Sequence, residues 1–213
     1  MTRKVIVASI LVFVVFSAFA AYFLSQKDSK STENPPKVSS QPQLERKDPS
    51  KHDYDDVDFA KKMILVDQQT SRIADIASRN SSDTLIRNLA VKISEEAKSD
   101  SQKYIGWLND WNEKYLNLSD FPEMEGHDMY PTFTGMTSLS KIKVIEGLNG
   151  IDFDKAFINL MIEHQQQVIS LQSKSGEVSA VGFGEILKHI RENVNNQKKQ
   201  LAEMEQIKKD KGY

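Results

Sequence analysis

From Val5 to Leu24 the chain is apolar without interruption, VIVASILVFVVFSAFAAYFL, with Arg3 and Lys4 just before it. At the helical rise this run spans about 30 Å, the thickness of a bilayer core. The basic flank lies on its N-terminal side, which places everything that follows outside the cytoplasm. Ala18-Phe19-Ala20 also fits an A-x-A cleavage site, giving a second reading: a secretory signal removed near Ala20. The run continues through Ala21–Leu24 and exceeds a signal core of about 7–15 residues, which favours an uncleaved, single-pass anchor. Either way the remainder is exported.

The pattern then changes twice. Residues 25–52 have no hydrophobic period, are rich in Ser, Lys, Gln and Pro, and hold only Val38 and Leu44 as aliphatics. Such a segment buries too little apolar surface to offset its ordering entropy and reads as a disordered linker. From residue 53 onward apolar positions recur at steps of three and four, as on helices facing a core. The first stripe is Phe59, Met63, Val66, Thr70, Ile73 and Ala77; the second is Ile86, Leu89, Ala90, Ile93, Ala97, Tyr104, Trp107, Leu108 and Trp111, with Asp83 as its predicted N-cap. A short helix follows around Leu139–Leu148. The next stripe, Phe157, Met161, His164, Val168 and Leu171, is expected to start from an N-cap at Asp152, and the last comprises Phe183, Ile186, Leu187, Ile190, Val194, Leu201, Met204 and Ile207.

The domain, residues 53–213, repeats itself. MILVDQQ (Met63–Gln69) aligns with MIEHQQQ (Met161–Gln167), sharing the leading Met-Ile and the closing Gln-Gln. In the same register Phe59 meets Phe157 and Asp56 meets Asp154. Two similar hairpins, residues 53–116 and 138–210, neither able to bury its stripe alone, predict an all-α four-helix bundle.

Composition narrows the chemistry. There is no cysteine, so disulfides, thiolate metal sites and cysteine catalysis are excluded. Net charge is −2, and residues 1–52 carry eight Lys/Arg against four Asp/Glu, which leaves the bundle acidic and unsuited to nucleic acid. No Glu-x-x-His, H-E-x-x-H, P-loop, G-x-S-x-G or G-x-G-x-x-G occurs, so no enzyme is expected.

The repeated motif resembles the domain of unknown function 305 family, whose signature is a pair of segments close to M-I-x-H-H-x-x-A. Trp107, the Met/Gly-rich connector Gly126–Met136 and Leu201-Ala202-Glu203-Met204 are similar too, and the resemblance covers about residues 53–207. It implies a ferritin-like fold in an exported or membrane-anchored protein, and a link to copper, which some members bind through His and Met. The chain departs from the signature where the ligands would be. Val66-Asp67 stands in place of the first His-His, and His164-Gln165 keeps one histidine of the second.

Two candidate metal sites follow. His164 and Met161, three apart, share a helix face. Met63 by the repeat, Met204 on the last helix and the Asp67 carboxylate are expected near them. Imidazole with thioether suits copper, above all Cu(I). The rival reading makes His164 a hydrogen-bonded core residue and the methionines core filler. The connector Met124-Glu125-Gly126-His127-Asp128-Met129, with Met136 beyond it, is the second candidate; its rival is a loop tucked over the end of the bundle. His52, at the linker's edge, carries little signal, and His189, beside the apolar stripe and four residues after Glu185, reads as part of a solvated helix pair. The expected partners are the membrane, a metal ion, and a second copy or another envelope protein; the alternative is an exported scaffold that has lost the metal.

Overall fold

The computed structural model describes residues 50–121, 131–177 and 182–213. All fall in one compact unit, Arg46–Tyr213. Among them are five α-helices, a short 3-10 turn at Leu118–Asp120 and no strand. The helices are α1 (Tyr54–Asn80), α2 (Thr84–Asp110), α3 (Leu139–Glu146), α4 (Gly150–Glu177) and α5 (Gly184–Lys211). No described helix is long and apolar enough to cross a membrane. The apolar run Val5–Leu24, the linker up to residue 49 and the connector residues 122–130 lie outside the described residues.

Local chemistry sets the helix ends. Asp53 caps α1, accepting from the Asp55 and Asp56 backbone N–H groups, while Asp56 Oδ2 accepts from the Asp53 N–H at 2.9 Å. This reciprocal box satisfies amides that the first turn leaves unpaired. Asp83 caps α2 as expected, accepting from Leu85 and Ile86 N–H. Asp152 does not cap α4. The Asn149 carbonyl already accepts from Phe153 N–H, closing the first turn earlier, and Gly150 at φ +59° supplies the entry bend. Asp152 sits within that first turn instead, where its charge complements the helix dipole.

The helices pack as two hairpins, α1 along α2 and α4 along α5, joined mainly through α1 on α4. Every long helix buries its apolar residues in two blocks. One core cluster includes Ile73, Ile86, Phe157, Met161 and Met204; the other includes Phe59, Met63, Val66, Tyr104, Val168 and Ile186. Between the blocks all four helices bury polar side chains: Asp67, Gln69, Thr70 and Ser71, Ser94 and Ser101, His164 and Gln165, Asn193 and Gln200. A polar layer thus crosses the middle of an apolar core.

The repeat is visible in the connections. Asp154, at the start of α4, accepts from Ser81 Oγ at 2.5 Å and Ser82 Oγ at 2.7 Å in the α1–α2 turn. Asp56, its counterpart in α1, accepts from the Gly182 and Phe183 N–H groups at 2.8 and 3.0 Å, just before α5. Each half holds the turn of the other with the same aspartate.

Candidate functional site

The polar layer contains the one histidine of the repeated motif. His164 is 1% exposed, and both ring nitrogens are occupied: Nε2 lies 2.7 Å from Thr70 Oγ1, and Nδ1 lies 3.1 Å from Thr137 Oγ1. Thr70 has one hydroxyl proton and directs it to the Val66 carbonyl at 2.8 Å. Its oxygen therefore accepts from His164 Nε2–H, which leaves Nδ1 to accept from the Thr137 hydroxyl. This network corresponds to the neutral Nε2–H tautomer, with both ring nitrogens engaged. Burial lowers the His164 pKa to about 4, so the ring stays neutral at physiological pH.

The second Gln-Gln residue of the first motif fixes Thr137. Gln69 is fully buried; its Nε2 donates to the Thr137 carbonyl at 2.8 Å and its Oε1 accepts from the Thr137 N–H at 2.7 Å. Gln68 grips the preceding loop in the same way, accepting from Leu118 N–H at 2.6 Å and donating to Asn117 Oδ1 at 2.9 Å. The chain reaches Thr137 through Gly135 at φ +101°. A Cβ there would lie 3.2 Å from Leu171 Cδ2 and 3.3 Å from Val66 Cγ2, so the close approach needs glycine.

The predicted ligand set is divided between environments. Met161 and Met204 are fully buried in one apolar cluster and Met63 in the other. Met136, at the connector's end, is buried in the same cluster as Met63. Met124, His127 and Met129 lie outside the described residues. Among the described residues no three His, Asp or Glu side chains gather around one ion position.

Asp67 belongs to the same polar layer. With Gln165, Asp100, Glu96, Gln200 and Asn193 it lines a cavity of about 20 Å³ to which all four long helices contribute. Burial, and then the nearby Asp100 charge, raise the Asp67 pKa well above the carboxylate range. Burial likewise raises Asp100 to about 6.

His189 is not solvated beside Glu185, as its spacing had suggested. It is 4% exposed, with its ring 5.3 Å from Tyr104 and 5.6 Å from Trp107. Glu185 instead accepts from Trp107 Nε1 at 3.1 Å. The aromatic residues of α2 draw the imidazole inward, because the ring offers them more apolar contact than Glu185 does. His189 Nε2 also lies 3.4 Å from Asp100 Oδ1; burial and Lys103 hold its pKa down to about 4, so at neutral pH this is a polar contact and not an ion pair. His52 stacks on Trp111 at 4.3 Å, which ties the end of the linker to the helices. Both interactions depend on residues far apart in sequence, and no local spacing signals them.

The pattern of the domain of unknown function DUF305 matches residues 56–208. The chain belongs to the DUF305 family. Three solved structures show the fold. A putative secreted DUF305 protein from Streptomyces coelicolor is 23% identical, with a TM-score of 0.62 over 74% of this chain and 95% of that one. A DUF305 fragment from Deinococcus radiodurans is 20% identical, with a TM-score of 0.61 over 73% and 96%. CopM in its Cu(I)-bound form is 17% identical, with a TM-score of 0.56 over 73% and 96%. CopM has also been solved with Cu(II) and with silver. No curated protein matches the chain in sequence.

Proposed function

We propose that this DUF305 protein is an extracytoplasmic, membrane-tethered, ferritin-like four-helix bundle acting as a non-enzymatic scaffold or partner-binding module. In this reading its centre is no longer a soft-metal site. One observation carries it: both ring nitrogens of His164 are engaged by threonines, so a metal reaches the remaining motif histidine only by displacing a buried hydrogen bond. The apolar run Val5–Leu24 with its basic flank supports the tether, and the secreted Streptomyces relative agrees with export. The test is competitive Cu(I) titration of the full chain in detergent. His164→Gln, which retains a hydrogen-bonding side chain, is expected to leave the affinity unchanged. Weakening by about tenfold, the loss typical of removing a group that supports a metal, would overturn the reading.

A second reading is supported by the likeness to CopM, which binds copper and silver. Here Met124, His127 and Met129 take copper through thioether and imidazole donors suited to Cu(I). Replacing all three by Leu, Ala and Leu in the same titration abolishes binding under this reading and changes nothing under the first.

A further inference from the structure

The small cavity of the polar layer has an ordered set of amides around it. Gln165 Nε2 donates to Gln200 Oε1 at 3.1 Å, and Gln200 Nε2 donates to Glu96 Oε2 at 2.7 Å. A carboxylate only accepts, so Glu96 fixes the direction of the relay. Gln200 must turn its NH₂ to Glu96 and its oxygen to Gln165. Gln165 must turn its NH₂ to Gln200, which leaves its own oxygen facing elsewhere. Gln165 Oε1 indeed has no hydrogen-bond partner, and neither has Asp67 Oδ2; the residues are 2% and 3% exposed, and both line the cavity. In the repeat these two residues occupy equivalent positions, 98 apart.

Two unpartnered buried acceptors cost free energy unless something positive reaches them. The walls add the Asp100 and Glu96 carboxylates, while no lysine or arginine lines the cavity; the Lys103 ammonium reaches Asp100 at 3.6 Å from an exposed position. We propose that the cavity binds a single small, hard divalent cation through Asp67 Oδ2, Gln165 Oε1 and the Asp100 carboxylate. The donor set is entirely oxygen, the opposite class from the His/Met set of a copper site. The volume of about 20 Å³ holds one ion stripped of most of its water. That favours Ca²⁺ or Mn²⁺ over Mg²⁺, which gives up its hydration shell reluctantly.

The test uses the full chain in detergent, cleared of metal with a chelator and then dialysed. Thermal unfolding is followed with added Ca²⁺, Mn²⁺ or Mg²⁺, and bound Mn²⁺ is counted by electron paramagnetic resonance. The expected result is one Mn²⁺ per chain and a midpoint raised by roughly 5–10 °C at a hundredfold excess over Kd, with Mg²⁺ weaker. Asp67→Asn is expected to lose at least about tenfold in affinity. Asp100→Asn, whose side chain is nearer the surface, is expected to lose affinity in the same direction and keeps the test decisive should Asp67→Asn fold poorly. An absence of any ion-dependent shift overturns the proposal: Asp67 then holds a proton and the cavity a water. Equal binding by both variants also overturns it, because the ion then sits elsewhere. Neither readout involves copper or His164, so the proposed function stands or falls separately.

Discussion

Asp56 and Asp154, 98 residues apart and both buried, perform the same task in opposite directions: each ties down the helix–helix turn of the half it does not belong to. The hairpins are thereby clasped at both connections by charge-assisted hydrogen bonds, which are stronger than neutral ones. Asp56→Ala leaves the Gly182 and Phe183 amides without their acceptor and is expected to lower stability by roughly 2–4 kcal/mol. Asp154→Ala should act in the same sense and more weakly, since exposed Ser82 can turn to water. Urea unfolding of both variants measures the difference; an unchanged midpoint for Asp56→Ala contradicts the clasp.

The Thr70–His164–Thr137 chain gives a second expectation. Thr70→Val keeps the side-chain volume but leaves the His164 Nε2–H buried without an acceptor, at a cost of about 1–3 kcal/mol. In a double-mutant cycle with His164→Leu the two losses should fall short of additive by about 0.5–3 kcal/mol. Strict additivity in chemical denaturation would show that the hydrogen bond contributes nothing.

If the core methionines serve as filler, shape matters and sulfur does not. Leu at positions 63, 161 and 204 conserves volume approximately, and each single replacement should cost less than about 1.5 kcal/mol. Met161→Ala should cost about 2–5 kcal/mol by opening a cavity in the cluster with Phe157 and Ile73. Cu(I) affinity should be the same in the Met→Leu triple variant as in the parent protein. A loss of affinity there would restore the thioethers as ligands.

Opposing ionisations operate in the polar layer. His164 and His189, held down to about 4, take up protons more readily when unfolded, so between pH about 6.5 and 4 they lower stability as pH falls. Asp67 and Asp100 have raised pKa values, so they bind protons more readily when folded. Above the ordinary 3.8 they cost stability as pH rises, Asp100 until about 6. In chelator, Asp67→Asn should therefore be more stable than the parent at pH 7, with the advantage shrinking towards pH 4. Unfolding curves at these two pH values check the sign.

The sequence made the fold legible because helix periodicity and the repeat are local or nearly local signals. Phe59, Met63, Val66 and Ile73 are buried as their spacing predicts, and Asp83 caps α2. The alignment of Asp56 with Asp154 marks the repeat, while the turns they hold depend on tertiary geometry. The site was less legible. A buried histidine held by two threonines has the same spacing as a ligand, and Thr137 approaches only because Gln69 grips a loop 68 residues away. The amide relay to Glu96 crosses from α4 to α5 to α2 and has no pattern along the chain. The inward face of His189 is set by aromatic partners on another helix, which its spacing to Glu185 does not show.

The claim that His164 is a structural residue with both ring nitrogens held by threonines is tested most directly by ¹⁵N spectroscopy of the full chain labelled at histidine. At pH 7 its resonances should report the neutral Nε2–H tautomer and stay in place as Cu(I) is added. Movement of the Nδ1 or Nε2 resonance in step with added copper would contradict the account and return His164 to the metal.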